Sequence, residues 1–269
     1  MKILVFGDVY GRVWRNALKK ELPRLKAKFN PDFTVVNVEN ITSGRGPIEK
    51  HVKEVEKLWI DVMTGWDHIF DNQKNIQEYL ETPNSKLIRP ANFIEQDHYY
   101  IPGKWYKIVE KDWKKLLVIH LMWTAFMNYS MENPFLKAEK MLAELWVENF
   151  DGILIDFHKE TTSEGYGLAH FLDGQVSFVF GTHTHIQTND ELILPGGTGL
   201  ISDVWMNGPL FSVIWADFNS VKKRFLTGIN KGKIEQQLDE NYVVNGICVE
   251  IWADRKVVNL EKIRIRGKL

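Results

Sequence analysis

Short apolar runs recur along the chain and alternate with amphipathic segments. KILVF (2–6) has the length and composition of a strand, and RNALKKELPRLKAKF (15–29) follows with helical spacing, with Pro23 as a blemish. FTVVNV (33–38) predicts a second strand, IEKHVKEVEKL (48–58) a helix, and IDVMT (60–64) a third strand. Further on, NQKNIQEYLE (72–81) and PFLKAEKMLAELWVEN (134–149) predict helices. KLLVIHLM (115–122), GILIDF (152–157), VSFVF (176–180) and GLISDV (199–204) predict strands. Near the C-terminus, GICVEIW and VVNLEKIRI flank ADRK, the pattern of a β-hairpin.

Strand–helix alternation with a late all-β portion predicts an α/β layered sandwich, two β-sheets flanked by helices. Neither a repeat nor a domain-sized linker interrupts it, so residues 1–269 are expected to form a single domain. At 44% hydrophobic and 26% charged, the chain can bury an ample core. A net charge of −1 gives no nucleic-acid footprint. The lone cysteine, Cys248, excludes a disulfide scaffold or a cysteine-based zinc site and is compatible with a reducing cytoplasm, the expected location. MKILVFGDVYG reads as a first strand, not a signal peptide, and no apolar run approaches membrane-spanning length.

Chemistry collects where strands end. Asp8 follows the first strand, Glu39 and Asn40 the second, and Asp67 and His68 the third. His158 closes GILIDF, and His183 and His185 follow VSFVF. In open α/β sheets, ligands bind outside the carboxyl ends of the strands. Each residue has an ordinary reading taken alone: Asp8 as a turn residue, Glu39–Asn40 as a solvated loop, Asp67 or Asp71 as an N-cap, His158 as a satisfied core histidine. The recurrence of such groups at five strand ends argues for a shared site. In THTH, alternation puts both imidazoles on one side of an extended segment. Imidazoles and carboxylates suit first-row divalent metals such as Mn, Fe or Zn. Two such metals can activate a water and clamp a phosphoryl oxygen, and an imidazolium that is not a ligand can protonate the leaving oxygen.

GDVYGR, VNVEN, HIFD, RPANF, DFHKETTSE, GTHTHIQT and ISDVWMNGP occur in that order. Together they resemble the YmdB-type branch of the calcineurin-like metallophosphoesterases, from Lys2 to the final hairpin. The resemblance implies a dinuclear phosphodiesterase acting on cyclic nucleotides, using iron, manganese or a similar metal. By position it implies Asp8 and His185 on the first metal with Asn40 helping, and His158 and His183 on the second. It makes Glu39 the bridge, Asp67 a ligand where the family usually has Asn, and His68 the proton donor. Members are also described as regulators bearing on RNA turnover, which admits a regulatory protein partner; a homo-oligomer is compatible too. Two alternatives stand beside the phosphodiesterase: a catalytically impaired regulatory protein that keeps the fold, and a phosphomonoesterase on the same site.

The chain departs from this pattern mainly at tryptophan. Where the family has a stretch similar to TMGNHTWD, this chain has TGWDHIFD. Trp14, Trp59, Trp66, Trp105, Trp113, Trp123, Trp205 and Trp215 fall where the family tends to have Gly; Trp146 and Trp252 do not. Gly serves positive φ or close backbone approach, and Trp suits neither. A lineage that decodes UGA as glycine, translated with UGA as tryptophan, accounts for the pattern; the alternative is a Trp-rich paralogue with a remodelled site.

Other residues are weaker signals. Arg89 in RPANF is expected to be structural, ETTSE (160–164) to cap a helix, and Asp203 either to orient a ligand histidine or to close a turn. TSGRG (42–46) lacks Walker spacing.

Overall fold

The computed structural model describes the whole chain except residues 97, 127–129, 146–148, 205 and 230–231, together with the side chain at 67. Its strands are β1 (Lys2–Phe6), β2 (Phe33–Asn37), β3 (Val62–Thr64), β4 (Leu87–Ile88), β5 (Tyr106–Lys111), β6 (Lys114–Met122), β7 (Gly152–His158), β8 (Phe178–Thr182), β9 (Leu192–Ile193), β10 (Gly199–Ile201), β11 (Gly208–Pro209), β12 (Asn241–Ile251) and β13 (Val257–Lys268). The helices are α1 (Gly11–Phe29), α2 (Glu49–Glu56), α3 (Gln73–Glu81), α4 (Pro134–Leu145), α5 (Thr162–Phe171) and α6 (Phe218–Thr227), with a short 3₁₀ turn at Asp67–Phe70.

Two sheets form. One runs β11-β12-β1-β2-β3-β4 with β13 on β12, and the other runs β5-β6-β7-β8-β10-β9. Side chains of successive strand residues point to opposite faces, and the core divides accordingly. Ile3 and Val5 of β1 pack with Val118, Leu154 and Phe180 between the sheets. Leu4 and Phe6 face outward onto Trp14, Leu18 and Leu22 of α1. On the second sheet Leu117, Ile119 and Phe157 turn the other way, onto Ala138 and Met141 of α4 and Leu168 of α5. The expected helix–sheet–sheet–helix sandwich is thus the observed fold.

Several boundaries move. Pro23 lies within α1, which begins at Gly11, four residues before the expected start, and α4 ends at Leu145, with 146–148 outside the described residues. Strand β5 and helix α6 are not among the expected elements, and α5, interrupted by Gly165 and Gly167, carries little helical period. The C-terminal hairpin is present but is no appendage. Its strand β12 pairs antiparallel with β1, inside the first sheet.

Strands β1 to β4 run parallel, as do β6, β7, β8 and β10. Their carboxyl ends therefore open onto one rim, where Asp8, Glu39, Asn40, Asp67, His68, His158, His183 and His185 follow or close the strands. Among the described residues no helix is long and apolar enough to cross a membrane.

Candidate active site

At this rim a cleft of about 360 Å³ is lined by Asn40, Trp66, His68, Glu160, His183 and His185, among others. One cluster forms at its floor. Asp8 Oδ2 lies 3.2 Å from His185 Nε2, and Asn40 Nδ2 lies 3.4 Å from the same nitrogen. The backbone N–H of His183 donates to Asp8 Oδ2 at 3.2 Å, and His185 Nδ1 faces the Ile214 carbonyl at 3.2 Å. Asp8 is 1% exposed, and its Oδ1 has no hydrogen-bond partner among the described residues. Burial alone would push the His185 imidazole down, but the hydrogen bond and charge of Asp8 outweigh it and hold the pKa above its ordinary value.

His158 and His183 form a second group, with ring centroids 4.6 Å apart at 82°. His158 Nδ1 lies 2.9 Å from Thr182 Oγ1, and that hydroxyl donates to Asp156 Oδ1 at 3.0 Å. His158 Nε2 is buried without a partner among the described residues. Its pKa lies well below the usual imidazole range, first because of burial and then because of the neighbouring His183. The ring is therefore a neutral donor of a lone pair. His183 Nε2 sits 2.6 Å from Glu160 Oε2.

Glu39 is fully buried, and the backbone N–H groups of Trp66 and His68 donate to its two oxygens. The side chain of Asp67 lies outside the described residues. His68 stands at the lip, and its Nδ1 is 2.7 Å from Asp71 Oδ2. Asp71 is therefore no helix cap: α3 begins after Asn72, and Asp71 closes the 3₁₀ turn while engaging His68.

Several partners were not evident from sequence. Asp156 accepts from Thr64, Asn37 and Thr182, and burial pushes its carboxyl up to about 7. Asp203 Oδ2 accepts from both the N–H and the hydroxyl of Thr184 at 2.9 Å, fixing the residue between the two cleft histidines. His183 and His185 take φ of 107° and 61°, an uncommon backbone that this anchoring sustains. The glycine loop 42–46 has a packing role: a Cβ on Gly46 would lie 1.9 Å from the His68 carbonyl oxygen. Arg89 bonds the Pro90 carbonyl and Glu95 and lines a different cleft, as a structural residue would. Thr161 stands at the N-cap of α5, but its hydroxyl makes no capping bond, so the expected cap is positional only.

The YmdB-like family matches residues 4–263. The chain belongs to that family. The 2′,3′-cyclic-nucleotide 2′-phosphodiesterase of Bacillus subtilis is 37% identical over 98% of this chain and 97% of its own length. Among solved structures, one described as a novel phosphatase of Mycoplasma pneumoniae superposes with a TM-score of 0.91, at 30% identity, over 100% of this chain and 94% of that one. A hypothetical protein from Thermus thermophilus gives 0.88 at 28% identity over 99% of both chains. Fold and family thus agree with the resemblance read from the motifs, and the names of these relatives agree with an enzyme that hydrolyses phosphate esters.

The donor set can be tested against the metals expected there. Oxygen and imidazole donors suit a divalent first-row cation. Asp8, Asn40 and His185 supply such donors at one point, and the orphaned Asp8 Oδ1 is the kind of atom a cation satisfies. This cluster fits. The His158–His183 pair does not fit with tryptophan at 66. The Trp66 ring centroid lies 2.7 Å from that of His158 and 5.1 Å from that of His183, so the indole crowds this pair. Among the described residues no three carboxylate or imidazole side chains close into a cation cage.

Proposed function

We propose that this protein hydrolyses a phosphodiester, a 2′,3′-cyclic nucleotide, in the cleft bounded by Asp8, Asn40, His185 and His68. The observation that supports this best is a cation-ready cluster and a carboxylate-oriented imidazole at one cleft. Asp8, Asn40 and His185 would hold a divalent cation such as manganese or iron. When bound, that cation supplies Lewis acidity toward a phosphoryl oxygen and lowers the pKa of a water.

The residues of the chain do the rest. The Ile214 carbonyl and Asp8 orient the His185 ring from its two nitrogens, and Asp203 holds Thr184 so that the THTH segment keeps its turn. Water adds at phosphorus, one ribose P–O bond breaks, and the product is a nucleoside phosphate monoester. The departing ribose oxygen needs a proton. His68 would deliver it from Nε2, since Asp71 engages Nδ1.

A second reading draws on one observation: the indole beside His158 favours a catalytically impaired protein if tryptophan is the residue made in the cell. Assays of 2′,3′-cyclic, 3′,5′-cyclic and monoester substrates with added manganese separate the readings. Preferential turnover of the 2′,3′-cyclic diester that is lost in His68→Ala and Asp8→Ala supports the phosphodiesterase. Turnover of monoesters alone, or of nothing, refutes it.

A further inference from the structure

Ten tryptophans occur in the chain, eight of them among the described residues. Three of these eight, Trp59, Trp113 and Trp215, have φ of 65°, 64° and 124°. Positive φ is found in only a few per cent of non-glycine residues and is a genuine outlier for a bulky one. The three positions are turn positions that ask for glycine on independent grounds. Trp59 follows the C-terminus of α2, and its N–H returns to the Glu56 carbonyl, the left-handed site beyond a helix end where Gly is the usual residue. Trp113 is the second residue of a two-residue loop between β5 and β6, closed by the Lys111–Lys114 pair, and Asp112 before it has φ 47°. Two positive φ values in such a loop define a type I′ turn, for which Asp-Gly is a preferred sequence; here it is Asp-Trp. Trp215 ends another two-residue loop, with Val213 and Ala216 exchanging both backbone hydrogen bonds across it.

Exposure agrees. Trp59 and Trp113 are 79% and 95% exposed, so neither indole packs to offset its backbone strain. Trp66 fails in the opposite way. It is 2% exposed, its indole N–H has no partner among the described residues, and its ring contests the place of His158. Aromatic pairs settle at centroid separations of about 4.5–7 Å; these two rings stand at 2.7 Å. Trp14 inside α1 and Trp123 just past β6 lack positive φ, so the backbone makes no such demand there.

We propose that the protein made in its own cells carries glycine at 59, 66, 113 and 215, through UGA codons decoded as glycine. Glycine at 66 removes the indole whose ring crowds that of His158. The assignment rests on backbone geometry at 59, 113 and 215 and on ring crowding at 66.

The test has two arms. Sequencing the gene and weighing peptides of the protein isolated from its source cells is expected to give UGA and glycine at all four positions. UGG, or a tryptophan mass at 66, overturns the assignment. In a host with the standard code, Trp113→Gly is expected to raise the unfolding temperature by relieving the turn, and a fall overturns the turn argument. Diesterase assays bear on the reaction and leave the codon result unaffected.

Discussion

The imidazole Nδ1 of His68 stands 2.7 Å from Asp71 Oδ2, three residues further on, where the short 3₁₀ turn closes. The carboxylate fixes the ring plane and directs Nε2 as the atom that can give up a proton. His68→Ala is expected to lower kcat by about 10²–10⁴-fold, the usual worth of a positioned general acid. Esters with a good aryl leaving group should lose much less, since they depart without a proton. Asp71→Asn should give a smaller fall in kcat at nearly constant KM. Steady-state kinetics on cyclic and aryl diesters checks all three, and equal losses on both ester types would remove the acid role.

Asp8 bonds His185 directly, whereas Asp203 acts through Thr184. Loss of an outer partner at a metal site costs about 10–100-fold in affinity. Asp203→Asn is expected to fall in that range for Mn²⁺ binding, and Asp8→Ala to exceed it. Calorimetry on both variants measures the ordering.

Thr182 links two buried groups, donating to Asp156 and facing His158 Nδ1. Thr182→Val keeps the shape but leaves Asp156 Oδ1 and the imidazole nitrogen without this partner. A buried unsatisfied group costs about 1–3 kcal/mol, so urea unfolding should show a loss of that order, with Thr182→Ser recovering most of it.

His120 is wholly buried with Nδ1 3.0 Å from the Asp156 carbonyl, and burial drives its pKa from 6.5 down to about 3. The folded protein therefore keeps this ring neutral while the unfolded chain protonates it below pH 6.5. Its contribution is fully present above that pH and is lost as pH falls toward 3, at up to about 1.4 kcal/mol per pH unit. His120→Gln should take up about one proton fewer on unfolding in this window, seen as a shallower dependence of unfolding free energy on pH. An unchanged slope would mean that His120 titrates normally.

Much of this was legible along the chain. The runs KILVF, KLLVIHLM and GILIDF became β1, β6 and β7 because their apolar character is strong enough for burial on both faces. The strand-end residues Asp8, Asn40, His68, His183 and His185 came to line or floor one cleft. Taken alone, Asp71 reads as a helix cap because N-cap propensity is local, while its bond to His68 depends on how the turn folds. Asp156 looked like one more strand residue in GILIDF; its three hydrogen bonds come from β2, β3 and β8 and exist only once the sheets assemble.

Alternating polarity determined the layered α/β sandwich, because burying apolar faces is a property of the pattern itself. The order of motifs likewise determined the family. Tertiary structure alone decided that Asp8, Asn40 and His185 touch, that Glu39 turns its oxygens to the backbone at 66 and 68, and that the indole at 66 contests the place of His158. Those contacts join residues far apart in the chain, and parallel strand order sets their distances where local periodicity carries no record of them.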